Sequence, residues 1–127
     1  MVADDDPHLC RSLRHMLESM GLHVDVTFDG AVLLDVLAQG PHDLVLVDAE
    51  MPPPSGLDVL RRQRAAGDAT PYVVMTSQLP SVTAALRGLG GVLVLEKPFG
   101  LDALRAALAT ALRVPEAALA RGRGEAG

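Results

Sequence analysis

Residues 43–52 read Asp-Leu-Val-Leu-Val-Asp-Ala-Glu-Met-Pro, a short apolar run that ends in the carboxylate of Asp48. Residues 44–47 are continuously apolar and rich in valine, which is typical of a parallel strand covered by helices on both faces. A carboxylate that closes such a buried strand is costly unless another group pairs with it. This stretch therefore predicts a parallel sheet with a polar site at the end of one strand.

The rest of the chain alternates similar strand-like runs with helical patterns. Two further continuous apolar runs lie at 72–75 and 92–95, a more alternating run typical of an edge strand lies at 22–27, and a very short run lies at 1–3. Apolar residues at helical spacing indicate helices at 9–20, 31–39, 57–66, 81–89 and 101–112. Five strand–helix units joined by right-handed crossovers predict an α/β fold with a doubly wound five-stranded parallel sheet.

Length and composition exclude several classes of protein. The chain has 127 residues, a net charge of −5 and a single cysteine, Cys10. We expect one domain, over 1–113, and a C-terminal tail or linker over 114–127. The single cysteine argues against a disulfide framework and indicates a reducing, cytoplasmic location. The absence of a long apolar run argues against a membrane segment, and the absence of a long basic tract argues against direct binding to nucleic acid.

Polar side chains follow four of the five predicted strands. In an open α/β sheet, ligands bind beyond the carboxyl ends of the strands. The residues at those ends are Asp4 and Asp5, Asp48, Thr76 and Ser77, and Lys97. Three carboxylates close together repel one another, and a hard divalent cation with oxygen ligands relieves that repulsion. Mg²⁺ fits because it uses one or two carboxylates and leaves room for a phosphoryl oxygen.

Each of these residues also has a purely structural interpretation. Asp6 precedes Pro7, which is favoured at the first helical position, so Asp6 is expected to cap a helix, and its neighbours could be loop acids. Thr76 could cap a turn. Lys97 could be an ordinary surface residue, although it is the sole lysine beside ten arginines, and a compact ammonium suits a carboxylate or a phosphoryl oxygen.

Taken together, the motifs resemble the receiver (phosphoacceptor) domain of two-component response regulators over residues 1 to about 113. The matching segments are Val-Ala-Asp-Asp-Asp-Pro at 2–7, the stretch at 43–52, Gly-Leu at 56–57, the run from Pro71 to Ser77, and Glu-Lys-Pro-Phe at 96–99. The resemblance implies a flavodoxin-like (βα)5 fold with strand order 2-1-3-4-5.

The resemblance also implies a role for each matching residue. Asp48 is expected to be the phosphoacceptor. The expected Mg²⁺ ligands are Asp4, Asp5, Asp48 and the backbone carbonyl of Glu50. Thr76, with Ser77, is expected to be the switch hydroxyl that moves toward the phosphoryl group, and Lys97 the cation that pairs with it. Pro98 is expected to follow a cis peptide bond that turns Lys97 toward the site.

The implied function is signalling rather than classical enzyme catalysis. A histidine kinase or histidine phosphotransfer protein would donate the phosphoryl group, and the domain would catalyse only its own phosphorylation and dephosphorylation. The modified domain would then control a downstream output protein or domain, and it could form a homodimer through the face of the fourth helix, fifth strand and fifth helix.

Several departures from the family pattern keep two alternatives open. The first strand is short, the loop after Met51 reads Pro-Pro-Pro-Ser, and Glu50 adds a negative side chain at a position that the family uses to set phosphoryl lifetime. Val94 stands where the family often has an aromatic switch residue, which leaves open a phosphorylation-independent pseudo-receiver used for protein contacts. The full set of Asp4, Asp5, Asp48, Thr76 and Lys97 argues against that alternative. A carboxylate two residues after Asp48 also occurs in Mg²⁺-dependent phosphatases with an aspartate nucleophile, although those usually have a longer chain.

Overall fold

The structure is a computed structural model that describes residues 1–120. Strands and helices alternate along the chain. In order they are β1 (Val2–Ala3), α1 (Pro7–Ser19), β2 (Val26–Thr27), α2 (Gly30–Gln39), β3 (Val45–Asp48), α3 (Gly56–Ala65), β4 (Tyr72–Thr76), α4 (Leu79–Ala85), β5 (Val92–Glu96), α5 (Leu101–Leu112) and α6 (Ala117–Ala120).

The five strands form one sheet in the order β2-β1-β3-β4-β5, and all neighbouring pairs are parallel. The predicted fold class and strand order are therefore confirmed. The edge strand β2 is shorter than the strand predicted at 22–27. Because β1 contributes only Val2 and Ala3 to the pairing, only Val26 and Thr27 of this segment find ladder partners.

Helices cover both faces of the sheet, as continuous apolar strands require. One core lies under α1 and α5, where Leu13, Leu104 and Leu108 pack with strand residues such as Leu46 and Val73. The other core lies under α2, α3 and α4. Its members include Leu33, Leu60 and Val82 from the helices and Val45, Val47 and Val74 from the strands. Since side chains alternate along each strand, every central strand contributes to both cores.

The helix ends mostly follow local sequence signals. The Asp6 side chain accepts hydrogen bonds from the backbone N–H groups of His8 and Leu9, which makes it the expected N-cap of α1. The predicted helix at 81–89 is wrong in its bounds, because α4 spans Leu79–Ala85. Pro80 fits a first helical turn because it lacks an N–H group. Gly88, with a φ of +87°, turns the chain before the two glycines that were expected to end the helix.

The predicted tail begins as ordered structure. Within 114–127, residues Ala117–Ala120 form α6, and Leu119 is buried against the core under α1 and α5. Residues 121–127 lie outside the described residues, so the tail or linker remains a prediction there. Among the helices of residues 1–120, none has the length and apolar character needed to cross a membrane.

Candidate functional site

The carboxyl edge of the sheet brings the acidic residues together. Asp4 and Asp5 follow β1, and Asp48 is the last residue of β3, which pairs with β1. One carboxylate oxygen from each of these three residues lies within 4.8 Å of the others. The side chains of Asp4 and Asp48 are only 1% and 6% exposed, respectively. Asp5 is exposed, whereas Asp4 and Asp48 are shielded from the water that would otherwise screen the repulsion between them.

Lys97 partly compensates this charge. It follows β5, and its Nζ lies 3.0 Å from Asp4 Oδ2 and 3.4 Å from Asp48 Oδ1. Burial by itself would lower the pKa of Lys97, but the hydrogen bond and charge of Asp4, together with Asp48, raise that pKa above its usual value. Lys97 therefore stays an ammonium ion at neutral pH. The Lys97–Pro98 peptide bond is cis.

The negative charge of Asp48 is unfavourable even with the Lys97 ammonium beside it. Burial is the largest influence and raises its pKa, and the charge of Asp4 acts in the same direction. The hydrogen bond from the Glu50 backbone N–H, 3.1 Å from Asp48 Oδ1, and the charge of Lys97 oppose that rise without cancelling it. The site therefore has more negative charge, from three carboxylates, than the single Lys97 ammonium neutralises.

The donor set fits a hard divalent cation. Three carboxylates provide only oxygen ligands, in a group compact enough for one ion, as Mg²⁺ requires. Asp4 Oδ1 also accepts a hydrogen bond of 2.9 Å from the backbone N–H of Asp6, which fixes the orientation of that carboxylate. Asp6 itself is occupied as a helix cap, and it is not among the three residues of the cluster.

Thr76, the last residue of β4, and Ser77, which follows it, contact a partner that the sequence did not predict. Thr76 Oγ1 donates a hydrogen bond of 2.7 Å to Glu50 Oε2, and the backbone N–H of Ser77 donates one of 3.0 Å to Glu50 Oε1. The resemblance implied a metal-ligand role for the backbone carbonyl of Glu50 and placed its side chain at a position linked to phosphoryl lifetime, but it did not predict contacts with Thr76 and Ser77. The position of Glu50, two residues after Asp48, was visible in the sequence. The neighbouring residues did not indicate which groups its side chain would contact.

Backbone packing holds the Asp48 end of β3 against the start of α3. A Cβ atom added at Gly56 would collide with the backbone carbonyl oxygen of Asp48, so only glycine permits this approach. Ser55 caps α3 in a reciprocal capping box with Asp58, which fixes where the helix begins. The loop between them and Asp48 contains a second cis peptide bond, Pro53–Pro54.

Comparison with known sequences identifies the same family as the motifs. Residues 1–109 match the family model of the response regulator receiver domain. The chain is 38% identical over 115 residues to response regulator MprA of Mycobacterium sp. (strain KMS), covering 89% of this chain and 50% of that protein. It is 37% identical to response regulator MprA of Mycobacterium bovis (strain BCG / Pasteur 1173P2), with the same coverage. The chain thus spans about half the length of these relatives.

Solved structures show the same architecture. The receiver domain of the Francisella response regulator 1452 superposes with a TM-score of 0.80 at 25% identity, covering 88% of this chain and 93% of that one. Full-length FixJ from B. japonicum superposes with a TM-score of 0.80 at 35% identity, covering 88% of this chain and 56% of that one. The chain therefore belongs to the response regulator receiver domain family, as its five motifs predicted.

Proposed function

We propose that this receiver domain accepts a phosphoryl group on Asp48 and changes conformation to control an output partner. The observation that carries the proposal is the arrangement around Asp48. A buried carboxylate at a strand end lies beside an ammonium, 3.4 Å away, and two further carboxylates. In this setting a nucleophile, a cation for the transferred group and ligands for Mg²⁺ meet at one edge of the sheet.

The phosphoryl transfer follows from this geometry. Asp48 Oδ1 is engaged by the Glu50 backbone N–H and by Lys97, so Oδ2 is assigned as the attacking atom. As the Oδ2–P bond forms, the N–P bond of a phosphohistidine breaks, and the bonding electrons return to the imidazole. Lys97 Nζ stabilises negative charge on the phosphoryl oxygens, and the protein otherwise positions the reactants.

Mg²⁺, held by the carboxylates of Asp4, Asp5 and Asp48 and by the backbone carbonyl of Glu50, would offset charge on the transferred group. The fit of the donor set supports this assignment. Because like charges would otherwise accumulate on Asp48, we expect phosphorylation to require the ion.

The switch would act through Thr76 and Ser77. The phosphoryl group would carry about −1.5 to −2 charges near pH 7, in place of the single charge of the Asp48 carboxylate, and would attract hydroxyl and amide donors. Movement of these residues would reshape the neighbouring face of α4, β5 and α5, where an output partner or a second copy of the domain would bind. A cytoplasmic histidine kinase or histidine phosphotransfer protein is the proposed donor, and the domain would catalyse only its own phosphorylation and dephosphorylation.

Intact mass spectrometry tests the proposal. Incubation with Mg²⁺ and acetyl phosphate is expected to add the mass of one phosphoryl group, and Asp48→Asn is expected to abolish the adduct. Asp43→Asn is the matched control because Asp43 is an exposed acid at the opposite end of the same strand segment, and this variant should label normally. Full labelling of Asp48→Asn would contradict the nucleophile assignment.

The phosphorylation-independent pseudo-receiver is the second candidate, and Val94 supports it. Val94 lies in the middle of β5 and pairs with Val74, so a small aliphatic side chain stands where an aromatic switch is common in the family. A wild-type protein that stays folded and unlabelled in the same experiment would favour this candidate.

A further inference from the structure

The Glu50 side chain accepts three hydrogen bonds from the end of β4 and the first residue of the loop that follows it. Its Oε2 accepts from Thr76 Oγ1 at 2.7 Å, and its Oε1 accepts from the Ser77 backbone N–H at 3.0 Å and from Ser77 Oγ at 3.3 Å. The backbone N–H of Glu50 also donates to Asp48. One residue therefore connects the phosphoacceptor with both expected switch residues.

These contacts use the hydrogens that a phosphoryl group would need. The Thr76 hydroxyl has a single hydrogen, which it donates to Glu50, while its oxygen accepts from the Gln78 backbone N–H at 2.7 Å. The Ser77 backbone N–H likewise has one hydrogen. Neither can make a full hydrogen bond to a phosphoryl oxygen while it is bound to Glu50.

The two acceptors also have similar chemistry. A carboxylate presents two negatively charged oxygens, and a phosphoryl group presents several oxygens with more charge. Glu50 is two residues from Asp48, so a phosphoryl group there would repel the Glu50 carboxylate and attract the donors that it holds.

We propose that the Glu50 carboxylate is an internal anion that occupies the Thr76 and Ser77 donors in the unphosphorylated domain and competes with the phosphoryl group for them. The contact with Glu50 holds the loop after β4 in place, and phosphorylation must displace it before the switch responds. This competition rests on the proposed function, whereas the holding contact is a property of the unmodified protein.

Hydrogen exchange in the unmodified protein tests the holding contact. Glu50→Ala removes the acceptor, so the amides of Ser77 and Gln78 are expected to exchange several-fold faster than in the wild type. Glu96→Ala is the matched control because Glu96 is an exposed glutamate paired with Thr76 in the sheet register, so the same charge is lost at the same edge. Unchanged exchange in Glu50→Ala, or equal acceleration in Glu96→Ala, would overturn the proposal.

Titration with beryllofluoride in the presence of Mg²⁺ tests the competition. The concentration for half-saturation, followed by NMR, is expected to fall about three- to tenfold in Glu50→Ala, because charge-assisted hydrogen bonds no longer oppose binding. Glu50→Gln keeps an acceptor oxygen without the charge and should give an intermediate value. Glu96→Ala should change binding much less.

The outcomes separate the two proposals. If Glu50→Ala binds beryllofluoride no more tightly than the wild type, or if Glu96→Ala gains as much, the competition is wrong. A wild-type protein that binds no beryllofluoride contradicts the proposed phosphoacceptor function and, with it, the competition. In that event hydrogen exchange still decides whether Glu50 holds the loop.

Discussion

The candidate site has two halves with opposite electrostatic problems. In the acidic half, defined as Asp4, Asp5, Asp48 and Lys97, three carboxylates share one ammonium. In the donor half, defined as Glu50, Thr76 and Ser77, one carboxylate accepts hydrogen bonds from three donor groups. The acidic half lacks positive charge, whereas the donor half already has an anion. The first is therefore suited to bind a cation, and the second must release an anion before it can bind another.

The two halves also differ in how deeply their charged side chains are buried. Asp4 and Asp48 are buried, so their repulsion is weakly screened and raises the pKa of Asp48, for which burial is the largest cause. Glu50 and Ser77 are exposed, so water can replace part of each contact between them. Changes in the acidic half should therefore alter stability more than changes in the donor half.

Replacing Lys97 should have the largest effect. Lys97→Met leaves the buried carboxylates of Asp4 and Asp48 without their cation. Unpairing a buried charge costs about 3–5 kcal/mol. Because the Lys97 side chain is 24% exposed, we expect a loss of about 2–4 kcal/mol in the free energy of unfolding, measured with urea in the presence of EDTA.

The control is Arg87→Met, which removes an exposed positive charge from the segment after α4. It should change stability by no more than about 0.5 kcal/mol. If the two variants lose equal stability, net charge rather than the acidic half explains the effect.

Mg²⁺ should have the next largest effect, and only through the acidic half. An ion that binds only the folded protein adds about 1.4 kcal/mol of stability at ten times its dissociation constant. Thermal unfolding should show this gain in the wild type and almost none in Asp5→Asn. Asp35→Asn, which removes an exposed acid from α2, should respond like the wild type. Equal responses in all three proteins would exclude the predicted metal ligands.

The donor half should show the smallest effects. Thr76→Val removes a buried hydroxyl that donates to Glu50 and accepts from the Gln78 backbone N–H, so we expect a loss of about 1 kcal/mol. Ser77→Ala removes only the exposed 3.3 Å contact and keeps the backbone donor, so its loss should stay below about 0.5 kcal/mol. Urea unfolding measures both. A larger loss for Ser77→Ala would mean that its hydroxyl, rather than Thr76, is the main donor.

Much of the acidic half was predictable because its signals are local. Asp4 and Asp5 directly follow the first apolar run and Asp48 ends the third, and parallel strands bring such ends to one edge. Element bounds were less predictable. The helix at 81–89 proved to be Leu79–Ala85, because Gly88 turns the chain earlier than the glycine pair at 90–91. In the same way, the short β1 limits β2 to two residues, which the pattern at 22–27 did not show.

The sequence by itself determined the α/β class, the alternation of strands and helices, and the polar residues that close each strand. These depend on residue period and on the chemistry of strand ends, both of which are local. Only the tertiary structure decided which of those residues meet. Lys97 reaches Asp4 across 93 positions, and Thr76 meets Glu50 across 26. The contact between Thr76 and Glu50 joins the end of β4 to the loop after the neighbouring strand β3, whereas Lys97 reaches from the end of β5 past β4 and β3 to the end of β1. Both contacts therefore depend on strand order and on the directions of side chains, which the local sequence does not specify.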